Sequence, residues 1–342
     1  MIENIQLSEE QKAIIEAPPD EKTIVMAVAA SGKTRCVTER LRYLLNLGID
    51  PSKIVTLTFT NNAAAEMQSR IEDSLRGDPP TFMGTIHSYA NMLLSGKYDT
   101  SWCRDEEEFD ELFNMVYEHP EVMREIDYLI VDETQDLNQA QFDFIEQLDA
   151  KGWLLVGDVR QSIYGFKGAT PQQMLNYMRQ DETVVRELTQ NYRNSTKILD
   201  YSNKIIGQMK GIALTPTVAM RHDKGNIQRI RQFDILPTIA KAPNWGDWAI
   251  LCRSNKAINA IMAMLNRKSI PCITFRQAQG NLEELKERVN ANAVKVLTIH
   301  SAKGLEFPKV IVVDVYKSGD ENIRLNYVSV TRARDELYLV MK

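Results

Sequence analysis

The stretch from Ala27 to Thr34, AVAASGKT, combines small residues with a lysine and a threonine, between an apolar segment and a helical pattern. A loop in that position can surround a β-phosphate with backbone N–H groups. Lys33 would then neutralise charge on the β- and γ-phosphates, and the Thr34 hydroxyl would bind Mg²⁺. The generic pattern has Gly where this chain has Ala27, so an ordinary strand–loop–helix turn is the alternative to nucleotide binding.

A second candidate lies in YLIVDETQD, from Tyr128 to Asp136, where an apolar strand ends directly in two carboxylates. Asp132 is placed to hold Mg²⁺ through its water shell, and Glu133 is placed to orient or deprotonate an attacking water. Acidic residues at a strand end also occur as simple caps. Together with Lys33 and Thr34 upstream, the pair predicts nucleoside-triphosphate hydrolysis.

Parallel strands would bring these residues to one edge of a sheet. Several apolar runs rich in β-branched residues are each followed by polar or helical sequence, which is the rhythm of βαβ units. The predicted strands are Thr23 to Val28, Lys53 to Phe59, Tyr128 to Val131, Trp153 to Val156, Trp248 to Cys252, Val294 to Ile299 and Lys309 to Val315. A chain of 342 residues exceeds what one hydrophobic core organises, so an α/β fold with two domains of about 150 residues each is expected.

The composition is that of a globular protein, with 44% hydrophobic and 25% charged residues and no apolar stretch of membrane-span length. The N-terminus has neither a basic start nor an apolar core, which predicts a cytoplasmic location. Cys36, Cys103, Cys252 and Cys272 are scattered without a C-x-x-C pair and are expected to be reduced thiols. The net charge of -5 argues against a basic nucleic-acid coat, although local basic clefts can still bind phosphates.

The box VDETQD resembles the VDExQD motif of superfamily 1 helicases of the UvrD/Rep/PcrA type. Further boxes of that family follow in the expected order and cover nearly the whole chain. They are LSEEQKAI (7–14) for the Q motif, TLTFTNNAAAEMQSRI (56–71) for motif Ia, GTIHS (84–88) for motif Ib, VGDVRQSIYGFKGA (156–169) for motif III, LTQNYRNS (188–195) for the NYR box, AILCRSN (249–255) for the strand after it, VLTIHSAKGLEFPKVIVV (296–313) for motif V and NYVSVTRARDEL (326–337) for motif VI. The resemblance implies two RecA-like domains with parallel sheets, which is a P-loop NTPase fold.

By this resemblance a set of residues would bind ATP. The phosphate loop would comprise Ala27, Val28, Ala29, Ala30, Ser31, Gly32, Lys33, Thr34 and Arg35, with Mg²⁺ held by Thr34 and Asp132. The base and ribose would be contacted by Gln11, Tyr192 and Glu306. The γ-phosphate would be contacted by Gln161, Arg193 and Arg332, the two arginines acting as arginine fingers. The family accepts Ala at the position of Ala27, but Ala30 stands where its loops usually have Gly, which predicts altered nucleotide affinity. For either arginine alone, a surface salt bridge is the alternative.

The same resemblance implies contacts to single-stranded DNA. Phe59, Tyr164 and Phe166 would stack on bases, since stacking is insensitive to sequence, although a core role is the usual fate of such rings. Polar and charged contacts would come from Asn61, His87, Lys167, Thr298 and His300. Lys167 replaces the usual Arg, which keeps the charge and loses bidentate geometry.

The motif order predicts a first RecA-like domain at 1–88 and 127–192, a small helical insertion at 89–126, and a second RecA-like domain at 193–342. The acidic run from Asp105 to Glu111 in the insertion is expected to be a solvated face, with a partner-binding patch as the alternative. The gap from Lys256 to Ala293 is short, which predicts a compact form lacking the family's large second insert.

The expected activity is that of an ATP-dependent DNA helicase or translocase moving 3′ to 5′ on single-stranded DNA or at a junction with duplex, in repair, replication or recombination. The alternative is a DNA-stimulated ATPase subunit that regulates a nuclease or a defence or repair complex. In that case a protein partner would supply the nuclease or loading function. The motor residues are the same for both hypotheses, so the sequence leaves the choice open.

Overall fold

The structure is a computed structural model that describes residues 7–72, 82–103, 108–210, 214–275, 282–313 and 319–341. The chain divides into two compact units. Unit 1 comprises Met1–Ala27 and Gly32–Leu188, and unit 2 comprises Val28–Ser31 and Thr189–Lys342. The short stretch Val28–Ser31 thus belongs to unit 2 although it lies between two segments of unit 1.

Unit 1 alternates strands and helices along the chain. Its elements are α1 (Glu9–Ile15), β1 (Lys22–Ala27), α2 (Lys33–Asn46), β2 (Ile54–Thr58), α3 (Asn61–Glu72), β3 (Phe82–Thr85), α4 (Ile86–Leu94), α5 (Glu111–Glu118), β4 (Tyr128–Val131), α6 (Gln139–Gln147), β5 (Gly152–Gly157), α7 (Pro171–Tyr177) and β6 (Thr183–Leu188). The strands form one sheet in the order β3-β2-β4-β5-β1-β6, and all neighbouring strands are parallel.

The central strands of this sheet are buried on both faces, as the continuous apolar runs predict. Every residue of β2 and β4 is buried, and so is every residue of β1 after Lys22. Val37 and Leu41 of α2 pack with Val25, Ile54 and Ile130 in one core cluster. Because all strands are parallel, the segments that follow β1, β4 and β5 leave the sheet at the same edge.

Unit 2 repeats this design. Its elements are β7 (Gln190–Asn191), α8 (Thr196–Ile206), β8 (Val218–Ala219), β9 (Asn226–Arg231), α9 (Ile235–Ala240), β10 (Trp248–Cys252), α10 (Asn255–Asn266), β11 (Cys272–Ile273), α11 (Leu282–Asn290), β12 (Val294–Thr298), β13 (Phe307–Val312), α12 (Asp320–Val330) and β14 (Ala333–Met341). The main sheet has the order β11-β12-β10-β13-β14-β9 with parallel neighbours, and β7 pairs with β8 in a separate parallel pair. Its core cluster includes Ile250, Leu265, Val296 and Ile311.

The predicted α/β fold with large parallel sheets is confirmed, and each predicted apolar run overlaps a strand. The bounds differ at the ends: β1 stops at Ala27 before Val28, and β2 lies inside the predicted Lys53 to Phe59. β12 ends at Thr298, whereas β13 begins at Phe307 before the predicted start. The predicted end of that last strand, 314–315, lies outside the described residues.

The predicted domain boundaries remain a prediction. The chain passes from unit 1 to unit 2 between Leu188 and Thr189, and the described parts of the predicted insertion hold the end of α4 and all of α5. Over the described ranges, no helix is long and apolar enough to cross a membrane.

Candidate nucleotide site and strand-contact residues

The loop between β1 and α2 has the backbone of a phosphate-binding loop. Gly32 precedes the helix with φ +85°, and Lys33 and Thr34 are the first two residues of α2. Free N–H groups at a helix start attract anions. Gly32 also approaches Gln11 closely, since a Cβ at Gly32 would lie 2.9 Å from Gln11 Nε2. Arg35 continues α2, while Ala27, Val28, Ala29 and Ser31 are buried.

Ala30 adopts φ +57°, the left-handed region that favours glycine. A Cβ in this conformation costs about 1–2 kcal/mol. The replacement of the family's usual Gly by Ala30 therefore leaves strain in the loop. The expectation that this residue alters nucleotide affinity stays a prediction.

Ala30→Gly should raise the thermal midpoint of unfolding. Relief of the left-handed Cβ is partly offset by about 0.4–1 kcal/mol of unfolded-state entropy, so the net gain should lie between about 0 and 1.6 kcal/mol, or up to a few degrees. The matched control is Gly48→Ala, because Gly48 has φ +83° with no atom within 4 Å of an added Cβ. Gly48→Ala isolates the effect of backbone strain and should lower the thermal midpoint. A lower midpoint for Ala30→Gly would refute the assignment of strain to Ala30.

Lys33 and Glu133 form an ion pair at the start of α2. Lys33 Nζ lies 3.2 Å from Glu133 Oε1, and both side chains are mostly buried. Burial opposes the lysine's charge, but the carboxylates of Glu133, Asp132 and Asp158 outweigh it and hold the pKa of Lys33 above its ordinary value. Lys33 is thus a fixed cation beside the phosphate loop.

The carboxylates that follow β4 are held in a defined geometry. Asp132 is buried and its Oδ1 accepts the backbone N–H of Glu133 at 2.8 Å. Glu133 itself has φ +55°, a conformation that costs free energy in a non-glycine residue and that clusters at functional sites. The arrangement directs the Glu133 carboxylate toward Lys33.

Gln135 lies within the VDETQD box, but the sequence predicted no role for it. It is fully buried, and its Nε2 donates to Glu133 Oε2 at 2.5 Å and to Asp136 Oδ2 at 3.1 Å. Its Oε1 accepts the backbone N–H of Asp158 at 2.8 Å. Asp158 in turn accepts from Gln161 Nε2 at 2.8 Å, so a hydrogen-bonded chain joins Glu133 to Gln161.

The side chain of Gln11 takes part in capping the N-terminus of α1. It forms a capping box in which its N–H donates to Ser8 Oγ at 3.2 Å and its Oε1 accepts from Ser8 N–H at 3.1 Å. This places the Gln11 amide nitrogen beside Gly32. Adenine contact by Gln11 stays a prediction.

The oxygen donors near the phosphate loop suit a magnesium ion. Thr34 brings a hydroxyl at the start of α2, and Asp132 brings a buried carboxylate at the end of β4. Mg²⁺ prefers hard oxygen ligands and is usually bound by one or two carboxylates together with substrate phosphates. The residues present therefore fit the ion that the fold implies.

Unit 2 holds the remaining predicted nucleotide contacts. Tyr192 is exposed and donates its hydroxyl to Gln190, and its backbone N–H donates to Ala30 O at 3.1 Å. Arg193 forms an ion pair with the exposed carboxylate of Glu306. These residues are thus grouped on unit 2 with the loop stretch Val28–Ser31.

Arg332 lies at the junction between α12 and β14 and is 2% exposed. Its guanidinium donates to Val328 O and Leu305 O, each at 3.1 Å, and to Thr331 Oγ1 at 3.3 Å. Contact with a phosphate by Arg332 as an arginine finger stays a prediction.

Three predicted base-stacking rings form one cluster on unit 1. The centroids of Phe59 and Tyr164 are 5.4 Å apart, and those of Tyr164 and Phe166 are 6.0 Å apart. Phe166 is 67% exposed, whereas the other two rings are half-buried. Lys167 beside Phe166 and Asn61 at the start of α3 are also exposed.

His87 contacts the helical insertion. Its ring stacks on Phe113 at 5.1 Å, and its Nε2 lies 3.2 Å from Asp110 Oδ1. The hydrogen bond to His87 holds the pKa of Asp110 below its ordinary value, and Asn138 donates to the same carboxylate. Asp110 belongs to the acidic run expected to be a solvated face; its side chain is 43% exposed while bound to His87 and Asn138, and the expectation for the run stays a prediction. Residues 105–107 of the run lie outside the described residues.

The polar residues predicted from motif V lie at the carboxyl end of β12. Thr298 Oγ1 lies 2.9 Å from Ser301 Oγ and accepts the Ser301 backbone N–H at 3.0 Å. His300 is half-buried in the following turn. DNA contact by either residue stays a prediction.

The parallel sheet of unit 1, with a phosphate loop after β1 and paired carboxylates after β4, defines a RecA-like P-loop fold. Two family models then match the chain. The UvrD/REP helicase N-terminal domain matches residues 7–119 and 108–182, and the UvrD-like helicase C-terminal domain matches residues 293–340. The chain belongs to the UvrD/REP helicase family, which confirms the predicted family and enzyme class.

Several proteins with similar sequences are named as DNA helicases. A Mycoplasma pneumoniae protein named "Probable DNA helicase" is 26% identical over 98% of this chain and 83% of its own length. The ATP-dependent DNA helicase PcrA of Leuconostoc citreum is 27% identical over 84% of this chain and 52% of its own length. PcrA of Staphylococcus epidermidis is 28% identical over 54% of this chain and 37% of its own length. The chain thus spans about half or less of the length of these PcrA relatives.

Proposed function

We propose that this protein is an ATP-dependent motor that translocates along single-stranded DNA in the 3′ to 5′ direction. The observation that carries the proposal is the Lys33–Glu133 pair, which joins the phosphate loop to the paired carboxylates in a member of a helicase family. The relatives named as ATP-dependent DNA helicases support ATP as the nucleotide and DNA as the track. Repair, replication or recombination is the proposed setting.

In this proposal Lys33 binds the β- and γ-phosphates, and Glu133 accepts a proton from the attacking water. Thr34 and Asp132 would hold Mg²⁺, which would neutralise charge on the phosphate oxygens. Gln161 contacts the γ-phosphate, and its hydrogen bond to Asp158 fixes the direction of its amide. Arg193 and Arg332 stabilise charge that develops on the transferred phosphoryl group.

ATP hydrolysis in the presence of different nucleic acids tests the substrate class. Turnover of the purified protein should rise strongly with single-stranded DNA and less with duplex DNA, because stacking on exposed bases requires an open strand. Single-stranded RNA of the same sequence is the comparison for the sugar. Turnover that no nucleic acid stimulates would contradict the proposal.

Phe166→Ala should weaken single-strand binding by about 1–3 kcal/mol if the ring stacks on a base. Its thermal midpoint should change little, because the ring is 67% exposed. Phe59→Ala should lower both the affinity for the single strand and the thermal midpoint, because the ring of Phe59 packs against Tyr164. Phe233→Ala is the matched control, since Phe233 is 64% exposed and lies under Arg231 on unit 2. Unchanged strand affinity in Phe166→Ala would remove that residue from the DNA site.

The isolated protein should translocate well and unwind weakly. Opening each base-pair step costs about 1.4 kcal/mol of stacking, and a helicase needs groups that hold the junction. Between β10 and β12 the described residues form only α10, β11 and α11, so few groups are available to grip duplex. Unwinding of a tailed duplex of about 20 base pairs by a demonstrated monomer, in a single turnover, would contradict this prediction.

The second candidate is a DNA-stimulated ATPase that regulates a nuclease or repair partner. The exposed acidic residues of the insertion, Glu111, Glu118 and Glu121, are the observation that favours a protein contact there. This hypothesis predicts stimulated hydrolysis without movement along the strand, and translocation by the isolated protein would count against it.

A further inference from the structure

Two fully buried asparagines, Asn191 and Asn194, lie at the end of β7 and in the turn before α8. Asn191 Nδ2 donates to Ala29 O and to Asn194 Oδ1, each at 2.8 Å. Asn191 Oδ1 accepts the backbone N–H groups of Arg193 at 3.0 Å and Asn194 at 2.8 Å. The Asn191 amide therefore makes four hydrogen bonds, which is the full number of its two donors and two lone pairs.

The Asn194 amide is directed at the chain on either side of Arg332. Its Nδ2 donates to Thr331 O at 3.1 Å and to Ala333 O at 2.5 Å. One side-chain amide thus fixes the two carbonyls that flank a single residue. Because Arg332 lies between the end of α12 and the start of β14, these bonds determine where its backbone sits at that junction.

Asn191, the other member of the Asn191–Asn194 pair, is hydrogen-bonded to the phosphate loop. Asn191 binds the carbonyl of Ala29, and the neighbouring backbone N–H of Tyr192 donates to the carbonyl of Ala30. Ala30 is the residue with the strained left-handed backbone. A continuous set of hydrogen bonds therefore runs within unit 2 from the loop stretch through Asn191 and Asn194 to the backbone at Arg332.

We infer that Asn194 is a positioning residue that holds Arg332 in register with the phosphate loop through the Asn191–Asn194 pair. The inference rests on the proposed function, in which Arg332 acts on the transferred phosphoryl group. Asn194 contacts no part of the nucleotide in this account. It acts only through the carbonyls of Thr331 and Ala333.

The test compares Asn194→Asp with the matched control Asn203→Asp. Asn203, on α8, also bridges backbone groups: its Nδ2 donates to Thr217 O at 3.0 Å and its Oδ1 accepts Thr217 N–H at 3.2 Å. Asn194→Asp keeps the size of the side chain and removes the donor. At saturating single-stranded DNA it should lower kcat by about 10- to 100-fold, the effect of a misplaced catalytic group, with less than about a threefold change in KM for ATP. Asn203→Asp should lower the thermal midpoint and leave kcat unchanged.

A double-mutant cycle separates positioning from a general structural role. In an Arg332→Ala background, Asn194→Asp should cause no further loss of kcat, because the residue that it positions is already absent. Asn194→Ser, which is smaller and uncharged, should give the same non-additive result. It replaces Asn194→Asp in the cycle if the Asp variant does not fold.

The outcomes distinguish this inference from the function on which it rests. Losses that multiply in the double variant, or a wild-type kcat in both Asn194 variants, would overturn the positioning role while Arg332→Ala stays defective. Wild-type kcat in Arg332→Ala itself would instead overturn the role of Arg332 and the inference together. A drop in kcat for Asn203→Asp equal to that for Asn194→Asp would also overturn the inference.

Discussion

Glu133→Gln should reduce strand-stimulated ATP hydrolysis by about 10²- to 10⁴-fold, the range that a positioned general base contributes. The substitution keeps the size of the side chain and the acceptor oxygen near Lys33, so the fold should persist. ATP should still bind, because the change removes a negative charge from a site that receives phosphates. The measurements are steady-state turnover at saturating single-stranded DNA and binding of a fluorescent ATP analogue.

Glu21→Gln is the matched control. Glu21 is also a half-buried acidic residue of unit 1 in an ion pair, with Arg186 at 2.8 Å. It lies before β1, at the opposite end of that strand from the phosphate loop. Its variant should lose some stability and keep its turnover. Wild-type turnover in Glu133→Gln would remove Glu133 from the role of general base.

Arg332→Ala should lower kcat by about 10³- to 10⁵-fold, the contribution of an arginine finger in comparable enzymes. The reason is that one of the two guanidinium groups proposed to stabilise the developing negative charge is removed, which leaves Arg193 alone. The variant should also melt earlier, because Arg332 donates to Val328 O and Leu305 O in the buried interior of unit 2. Single-turnover hydrolysis with bound DNA measures the chemical step directly.

Arg332→Lys is compared with Arg40→Lys, which is the control for loss of thermal stability. Arg40 is fully buried and donates to the carbonyls of Ile15, Ala17 and Pro18. Both lysine variants keep a positive charge and lose the planar guanidinium. Both should melt earlier, but only Arg332→Lys should lose a large part of kcat. Equal losses of kcat in the two variants would indicate a structural role for Arg332.

The sequence predicted the elements whose signals are local and continuous. β1, β4 and the loop at Lys33 are read from unbroken apolar runs that end in polar residues, because buried parallel strands carry apolar side chains on both faces. The edge strands β6 and β9 were missed because half of their side chains face solvent: Val184 and Val185 are exposed, and β9 contains two arginines. β14 was missed because it begins with the charged segment ARDE.

The supporting contacts of the site could not be predicted in this way. Asn194 and the carbonyl of Thr331 are 137 positions apart in the sequence, so only the fold shows that they meet. Gln135 lies inside a recognised box beside two of its partners, Glu133 and Asp136, but its bond to Asp158 appears only when β4 and β5 are paired. Ala30 is the exception, since its departure from the family's usual glycine singled out the residue that has φ +57°, although the prediction made from it concerned nucleotide affinity.

Displacement of streptavidin from biotinylated single-stranded DNA tests the proposed motor most directly. Movement toward the 5′ end would push streptavidin off a 5′-biotinylated oligonucleotide in an ATP-dependent manner and leave a 3′-biotinylated one bound. Lys33→Ala should displace neither, because it lacks the cation proposed to bind the β- and γ-phosphates. The wild-type protein should displace streptavidin rapidly and from the 5′ end only. Stimulated ATP hydrolysis without displacement from either end would contradict the proposed motor.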